Sequence, residues 1–190
     1  TDLFKLLPRP TSAQQRAGTR AFFRTLNAMG ITGVLDPGGY NLDIADYQAL
    51  FDVWREQGLT LRVRYSLSAP RRDHELDDFK ALTQVLPMGF GDDWLRFNGI
   101  GENVTWGLYN NDHPSDVQKQ QLHDVLRWAV TRGMTATFHW NNERAVHHLL
   151  AVLARVNAET PIAKLRWSIA HLNDASPQTL QRMKAMGLGW

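Results

Sequence analysis

Met134-Thr-Ala-Thr-Phe-His139 and Leu165-Arg-Trp-Ser-Ile-Ala-His171 decide the fold, because each is an apolar, β-leaning run that stops on a histidine. Between them, Glu143 to Asn157 carries Val146, Leu149, Leu150, Leu153 and Val156 at helical spacing. The segment therefore reads strand, helix, strand. A crossover of this kind makes the two strands parallel, and residues that end neighbouring parallel strands emerge on one rim. In α/β barrels that rim carries the chemistry. His139 and His171 are thus expected to face a common space and to be able to share a metal ion.

The same alternation runs outward from this unit. Ser12 to Met29 reads as a helix with Ala17, Ala21, Phe22, Leu26 and Met29 on its inner face and Gly30 as its stop. Ile31 to Leu35 is a short strand, followed by the loop Asp36-Pro-Gly-Gly39 and a helix capped by Asp43, with Tyr47, Leu50, Phe51 and Trp54 in register. Leu59 to Leu67 is the next strand; Arg62 and Arg64 alternate there with apolar residues, which implies either one partly wet face or charged partners inside a barrel, the second being favoured. Asp73 to Leu86 is a helix with Leu76, Phe79, Leu82 and Val85 inward. Trp94 to Ile100 is a strand, and Asp116 to Arg132 a helix ended by Gly133. Ser176-Pro177 caps a last helix, whose stop is Gly187, and Leu188-Gly-Trp190 reads as a strand beginning. Between the third strand and the helix at Asp116, Glu102 to Ser115 is a longer loop with Trp106, Tyr109, Asn110, Asn111 and His113, a composition suited to covering a ligand.

Composition narrows the function. With 190 residues, 43% hydrophobic, seven Trp and eight Phe, the chain has material for one substantial core. Its net charge of +2 comes from 21 basic and 19 acidic residues, and the basic ones are scattered, so no nucleic-acid stripe is present. No cysteine occurs, which excludes disulfides, thiolate zinc sites and thiol nucleophiles. No apolar run approaches a membrane span, and Thr1 to Pro10 lacks the charged-then-apolar order of a signal peptide. These features give no sign of a nucleic-acid or membrane partner, and they leave the compartment open. The alternation over 190 residues fits an α/β layer system, either an open doubly wound sheet or part of a (β/α)8 barrel, for which a complete barrel takes about 250 residues.

The order Leu26-Asn-Ala-Met-Gly-Ile-Thr-Gly-Val-Leu-Asp36, then Gln57-Gly-Leu-Thr-Leu-Arg-Val-Arg64, then His139 with Arg144-Ala145, then Ile169-Ala-His171, resembles the amidohydrolase superfamily. Within it, the chain is most similar to YtcJ-like and N-substituted formamide deformylase-like enzymes. The resemblance implies a partial TIM barrel of the metal-dependent hydrolase type, about strands two to six, with residues 1–190 as a single α/β segment. It also implies a longer chain, because the family's N-terminal β-sandwich, its first strand with His-x-His, and strands seven and eight have no counterpart here. Open barrel edges would then favour self-association.

Carried over by position, His139 and His171 match the histidines that end barrel strands five and six and bind metal. The family's His-Ala-x-Gly-Asp-Arg-Ala becomes His139-Trp-Asn-Asn-Glu-Arg-Ala145, and its Glu-His-Ala-Gln becomes Ala170-His-Leu-Asn173. Where many members have a carboxylated lysine, Asn98-Gly-Ile-Gly-Glu102 has none, and Glu102 is the nearest carboxylate. It is the third candidate ligand; it also fits a loop carboxylate paired with an arginine. Imidazole and carboxylate donors suit zinc or a similar divalent ion, with one or two expected in the full-length enzyme and none necessarily bound in this segment. The implied reaction is hydrolysis of a non-peptide amide-type C–N bond by a metal-activated water. The family's catalytic Asp is expected outside these residues, so the 190 residues alone are expected to be inactive. Trp106, Tyr109 and Trp140 are candidates for lining an apolar substrate pocket, or for packing against loops. His147 and His148 read as helix-surface or packing residues, and Asp36 as the cap of the turn at Pro37-Gly38. The competing reading is a non-catalytic barrel remnant or a small-molecule binding module on the same scaffold.

Overall fold

Strand and helix alternate from one end of the described chain to the other, as they must when parallel strands are joined by helical crossovers. The structure is a computed structural model that describes residue 8, residues 10–39 and residues 42–190. Most of the stretch Thr1 to Pro10 that was read for a leader lies outside the described residues. The elements are α1 (Ser12–Ala28), β1 (Gly33–Asp36), α2 (Gln48–Arg55), β2 (Arg62–Leu67), α3 (Glu75–Leu82), β3 (Leu95–Ile100), α4 (Asp116–Thr131), β4 (Thr137–Trp140), α5 (Glu143–Glu159), β5 (Ser168–His171) and α6 (Pro177–Met186). A short 3-10 turn, Ile44–Tyr47, leads into α2, and another, Ala163–Leu165, precedes β5.

The strands stand in sequence order. β1, β2 and β3 pair in parallel, as do β4 and β5. A parallel bridge from Ile100 to Ala136 joins the two groups, and another from Ser168 to Gly189 extends the row, so Leu188 to Trp190 does begin to pair beyond β5. Among the described residues nothing pairs with the outer edge of β1. The architecture is an alternating α/β fold with an open parallel sheet, that of an incomplete TIM-like barrel.

Local chemistry sets the helix ends. Thr11 and Ser115 each form a capping box, with Gln14 and Gln118, at the start of α1 and α4. Asn142 caps α5 by accepting from Ala145 N at 2.8 Å, and Ser176 caps α6 with Pro177 in the first turn. Gly187 closes α6 in the left-handed conformation, φ +71°.

The core lies between the strands and the inner faces of α4 and α5. Val146, Leu149, Leu150, Leu153 and Val156 are buried, against Leu122, Val125, Leu126 and Ala129. Each of the Leu and Val side chains contributes about 1.5–3 kcal/mol on burial. Trp167 is fully buried, meets Phe138 edge-on at 5.8 Å and donates its indole N–H to Met134 O at 2.7 Å.

Several sequence expectations are corrected. On α1 it is Phe23 that is buried, while Phe22 is 59% exposed and Met29 also faces out. The helix is turned so that Arg16 and Arg20 reach Asp52 and Glu56 along α2. Arg62 is exposed, not buried with a charged partner, and its guanidinium lies over the Trp94 ring, while Arg64 reaches the carbonyls of Val63 and Asp93. Helix α3 is shorter than expected, and Val85 beyond its end is exposed. β5 starts only at Ser168, because Arg166 adopts φ +57° after the 3-10 turn.

Candidate metal centre

β4 and β5 run side by side in a register that pairs Trp140 with His171 and His139 with Ala170. The two histidines therefore sit at the carboxyl ends of adjacent strands, and their imidazole centroids are 4.3 Å apart. At the carboxyl end of β3, which neighbours β4, the chain passes through Gly101 to Glu102. Its carboxylate Oε1 faces Nδ1 of His139 and lies 2.6 Å from Nε2 of His171. One ligand atom from each of Glu102, His139 and His171 lies within 4.8 Å of the others. Two imidazoles and a carboxylate are the donor set that zinc and similar divalent ions accept. The three residues taken from the sequence as metal ligands are thus brought together by three consecutive strands.

Backbone geometry fixes each donor. Gly99 and Gly101 have φ of +129° and +143°, conformations that side-chain-bearing residues rarely adopt. A Cβ on Gly101 would come within 2.9 Å of Pro37 O and 3.1 Å of Thr137 N. The glycines let the end of β3 lie directly on β4, and His139 N donates to Glu102 O at 3.0 Å. The pair is therefore tied through main chain as well as side chain. His171 and the buried Leu172 take positive φ, +70° and +35°. Left-handed backbone at non-glycine residues is costly and concentrates at functional sites. Here it turns the chain sharply at the end of β5, where Leu172 N donates to Trp140 O at 2.6 Å.

The site is open on one side. The Glu102 side chain is 11% exposed and that of His171 46%, so a solute reaches the cluster from the His171 side. The loop Glu102 to Ser115 covers the other side. Tyr109 places its hydroxyl 3.0 Å from His139 Nε2. Asn110 Oδ1 accepts from Asn141 N at 2.9 Å, and Asp112 O accepts from His148 Nε2 at 2.9 Å. The loop is also a packing element, beyond the covering role expected of it: Val104 and Leu108 belong to the core, and Asn103 is buried.

The remaining sequence candidates are distributed as follows. Trp106 is anchored by its indole N–H to Ala69 O at 3.1 Å and by its backbone N–H to Glu75 at 2.9 Å. Trp140 is a core residue, 3% exposed, whose indole nitrogen finds no partner among the described residues. Asp36 caps its turn by accepting from Gly38 N. His147 lies on the surface of α5 beside Glu143 and Arg182. Arg144 is exposed, 3.6 Å from Asp112.

Sequence reasoning did not anticipate Glu143 as a joint. Its two oxygens accept from Ser176 N at 3.1 Å and Thr179 Oγ1 at 2.8 Å, tying the start of α5 to the start of α6. Burial pushes its pKa up, but the bonds from Ser176 and Thr179 and the nearby His147 outweigh that and hold it below the ordinary carboxylate value. The signal was the exchange of the family's Asp for Glu at this position, whose extra methylene lengthens the reach.

Comparisons with known proteins agree with the fold. Two solved structures share the fold: an uncharacterized metal-dependent hydrolase from Pyrococcus furiosus, at 18% identity and TM-score 0.61, and one from Pyrococcus horikoshii OT3, at 15% and 0.61. Each alignment covers 94% of this chain but only 38% and 36% of the other, so the chain spans under two-fifths of those proteins. No curated protein matches. The profile described as the amidohydrolase family matches residues 1–189, and the chain belongs to that family.

Proposed function

We propose that Glu102, His139 and His171 hold a divalent metal ion, with zinc the ion best suited to the donors, in a hydrolase acting on a non-peptide amide-type C–N bond. The observation that carries this reading is the convergence of one carboxylate oxygen on both imidazoles at the carboxyl ends of adjacent parallel strands. When bound, such an ion lowers the pKa of a water ligand to about 7 and polarises a carbonyl oxygen.

The chain's own residues supply the rest. His139 offers Nδ1 and His171 offers Nε2 as donors, with the Glu102 carboxylate between them. Among the described residues this is the one cluster of its kind, which favours a single ion held by these three side chains. The open side at His171 admits a small substrate, and the loop with Trp106 and Tyr109 borders the opposite side. Arg144-Ala145 after His139 supports the YtcJ-like and N-substituted formamide deformylase-like branch, and with it N-formyl amines and cyclic amides as the substrate class.

The test is a panel of N-formyl amines, cyclic amides and carboxylic esters offered to the metal-loaded full-length enzyme, since these 190 residues alone are expected to be inactive. Amide hydrolysis that is abolished by a chelator and by His171→Ala is the expected result. Stoichiometric metal and substrate binding without turnover of any amide would favour the binding-module reading instead.

A further inference from the structure

We infer that Tyr109 is a positioning residue that acts through His139, presenting the nitrogen of that ring to the metal; this deepens, and rests on, the metal-site reading above. His139 has two ring nitrogens with different neighbours. Nδ1 faces the Glu102 carboxylate, which also meets His171, whereas Nε2 faces the Tyr109 hydroxyl at 3.0 Å. A neutral imidazole carries one N–H, so a ring that offers its Nδ1 lone pair to an ion must carry its proton on Nε2. The group facing that proton must accept it, and a phenol oxygen does so. A metal-ligating histidine held in this way has its tautomer and ring orientation fixed by the second hydrogen bond.

A hydroxyl has a property here that a carboxylate lacks. In the metal-free chain, a proton on Nδ1 is stabilised by Glu102, and Nε2 then presents a lone pair to which the Tyr109 O–H donates. In the metal-bound chain the roles reverse, with Nε2–H donating to the Tyr109 oxygen. Only the tautomer changes, and Tyr109 stays bonded in both states because a phenol both donates and accepts. The ring is also limited sterically, since the Tyr109 and His139 rings meet edge-on with centroids 4.9 Å apart.

Tyr109 is set in place by the fold. Leu108 before it is fully buried, and Asn110 after it is clasped to Asn141. The hydroxyl is therefore delivered to Nε2 by a loop anchored on both sides, and the loop begins at Glu102. One segment supplies both a ligand and the support of a second ligand.

The experiment measures the affinity of the purified chain for Zn²⁺ and Co²⁺ by chelator competition, with the Co²⁺ visible absorption band as a second readout. Tyr109→Phe keeps the ring and deletes the hydroxyl. It is expected to weaken metal binding about 10- to 100-fold and to shift the Co²⁺ band, with the unfolding midpoint of the metal-free chain retained. His148→Ala, which loosens the same loop at Asp112, is expected to leave affinity and band unchanged. Equal affinity in Tyr109→Phe and wild type would overturn the inference while leaving the ligand assignment standing, and so would an equal loss in His148→Ala. Failure of the wild-type chain to bind either ion would overturn both.

Discussion

Oε1 of Glu102 lies 2.6 Å from Nε2 of His171, across 69 positions of sequence, and the same oxygen also faces His139. A carboxylate that serves two imidazoles at once occupies the place where an ion would sit among three donors. Buried or half-buried charge is held where it is paired and hydrogen-bonded, and a shared ion satisfies all three groups together. The relationship depends on strand order: β3, β4 and β5 are successive neighbours, so three residues distant in sequence arrive at one rim.

Glu102→Gln preserves shape and removes the charge. Loss of a supporting residue around a metal ligand costs about 10- to 100-fold in affinity, and loss of the anionic ligand itself is expected to cost about 100-fold or more. Equilibrium dialysis against Zn²⁺ measures it. Binding within a few-fold of wild type would show that Glu102 does not ligate.

Gly101→Ala tests the backbone that delivers Glu102. The added methyl would meet Pro37 O at 2.9 Å, and φ of +143° is itself unfavourable for alanine. The expected cost is about 1–3 kcal/mol, read as a lowered denaturant midpoint, together with weakened metal binding. Val104→Ala, a core truncation in the same loop, is expected to reduce stability with a smaller effect on the metal.

Glu143 predicts a pH signature. Its folded pKa is held below the ordinary value by bonds from Ser176 and Thr179 that outweigh burial. A depressed carboxylate stabilises the fold above its unfolded pKa of about 4.3. That contribution is lost as pH falls through the lower folded value. Wild type should therefore exceed Glu143→Gln in stability at pH 5 to 7, and the gap should close in more acidic solution. Glu143→Ala is expected to cost about 1–2 kcal/mol near neutral pH, or about 2–8 °C in melting midpoint for a chain of this size. A gap that widens on acidification would contradict this role.

The alternation of elements and the two histidine strands were legible because a buried parallel strand is a short apolar run, while its crossover helix shows a 3.6-residue period. Glu102, His139 and His171 were likewise legible as a set, the histidines from strand ends and Glu102 from its place in the family pattern. What escaped had physical causes. Phe22 and Phe23 are adjacent and equally apolar, so composition could not tell which one faces in; in the structure Phe23 does, with Arg16 and Arg20 paired to α2. Arg62 was read inward because it alternates with core residues, yet cation–π contact with Trp94 gives it a place at the surface. The ties between Asn110 and Asn141, and between Glu143 and Thr179, join loops and helix ends far apart in sequence, where periodicity carries no information.

The most direct test is the metal content of the purified chain, measured by elemental analysis alongside His139→Ala and His171→Ala. The account predicts close to one divalent ion per chain in the wild type, lost in both variants while the fold persists by circular dichroism. Metal retained undiminished in both variants would contradict it.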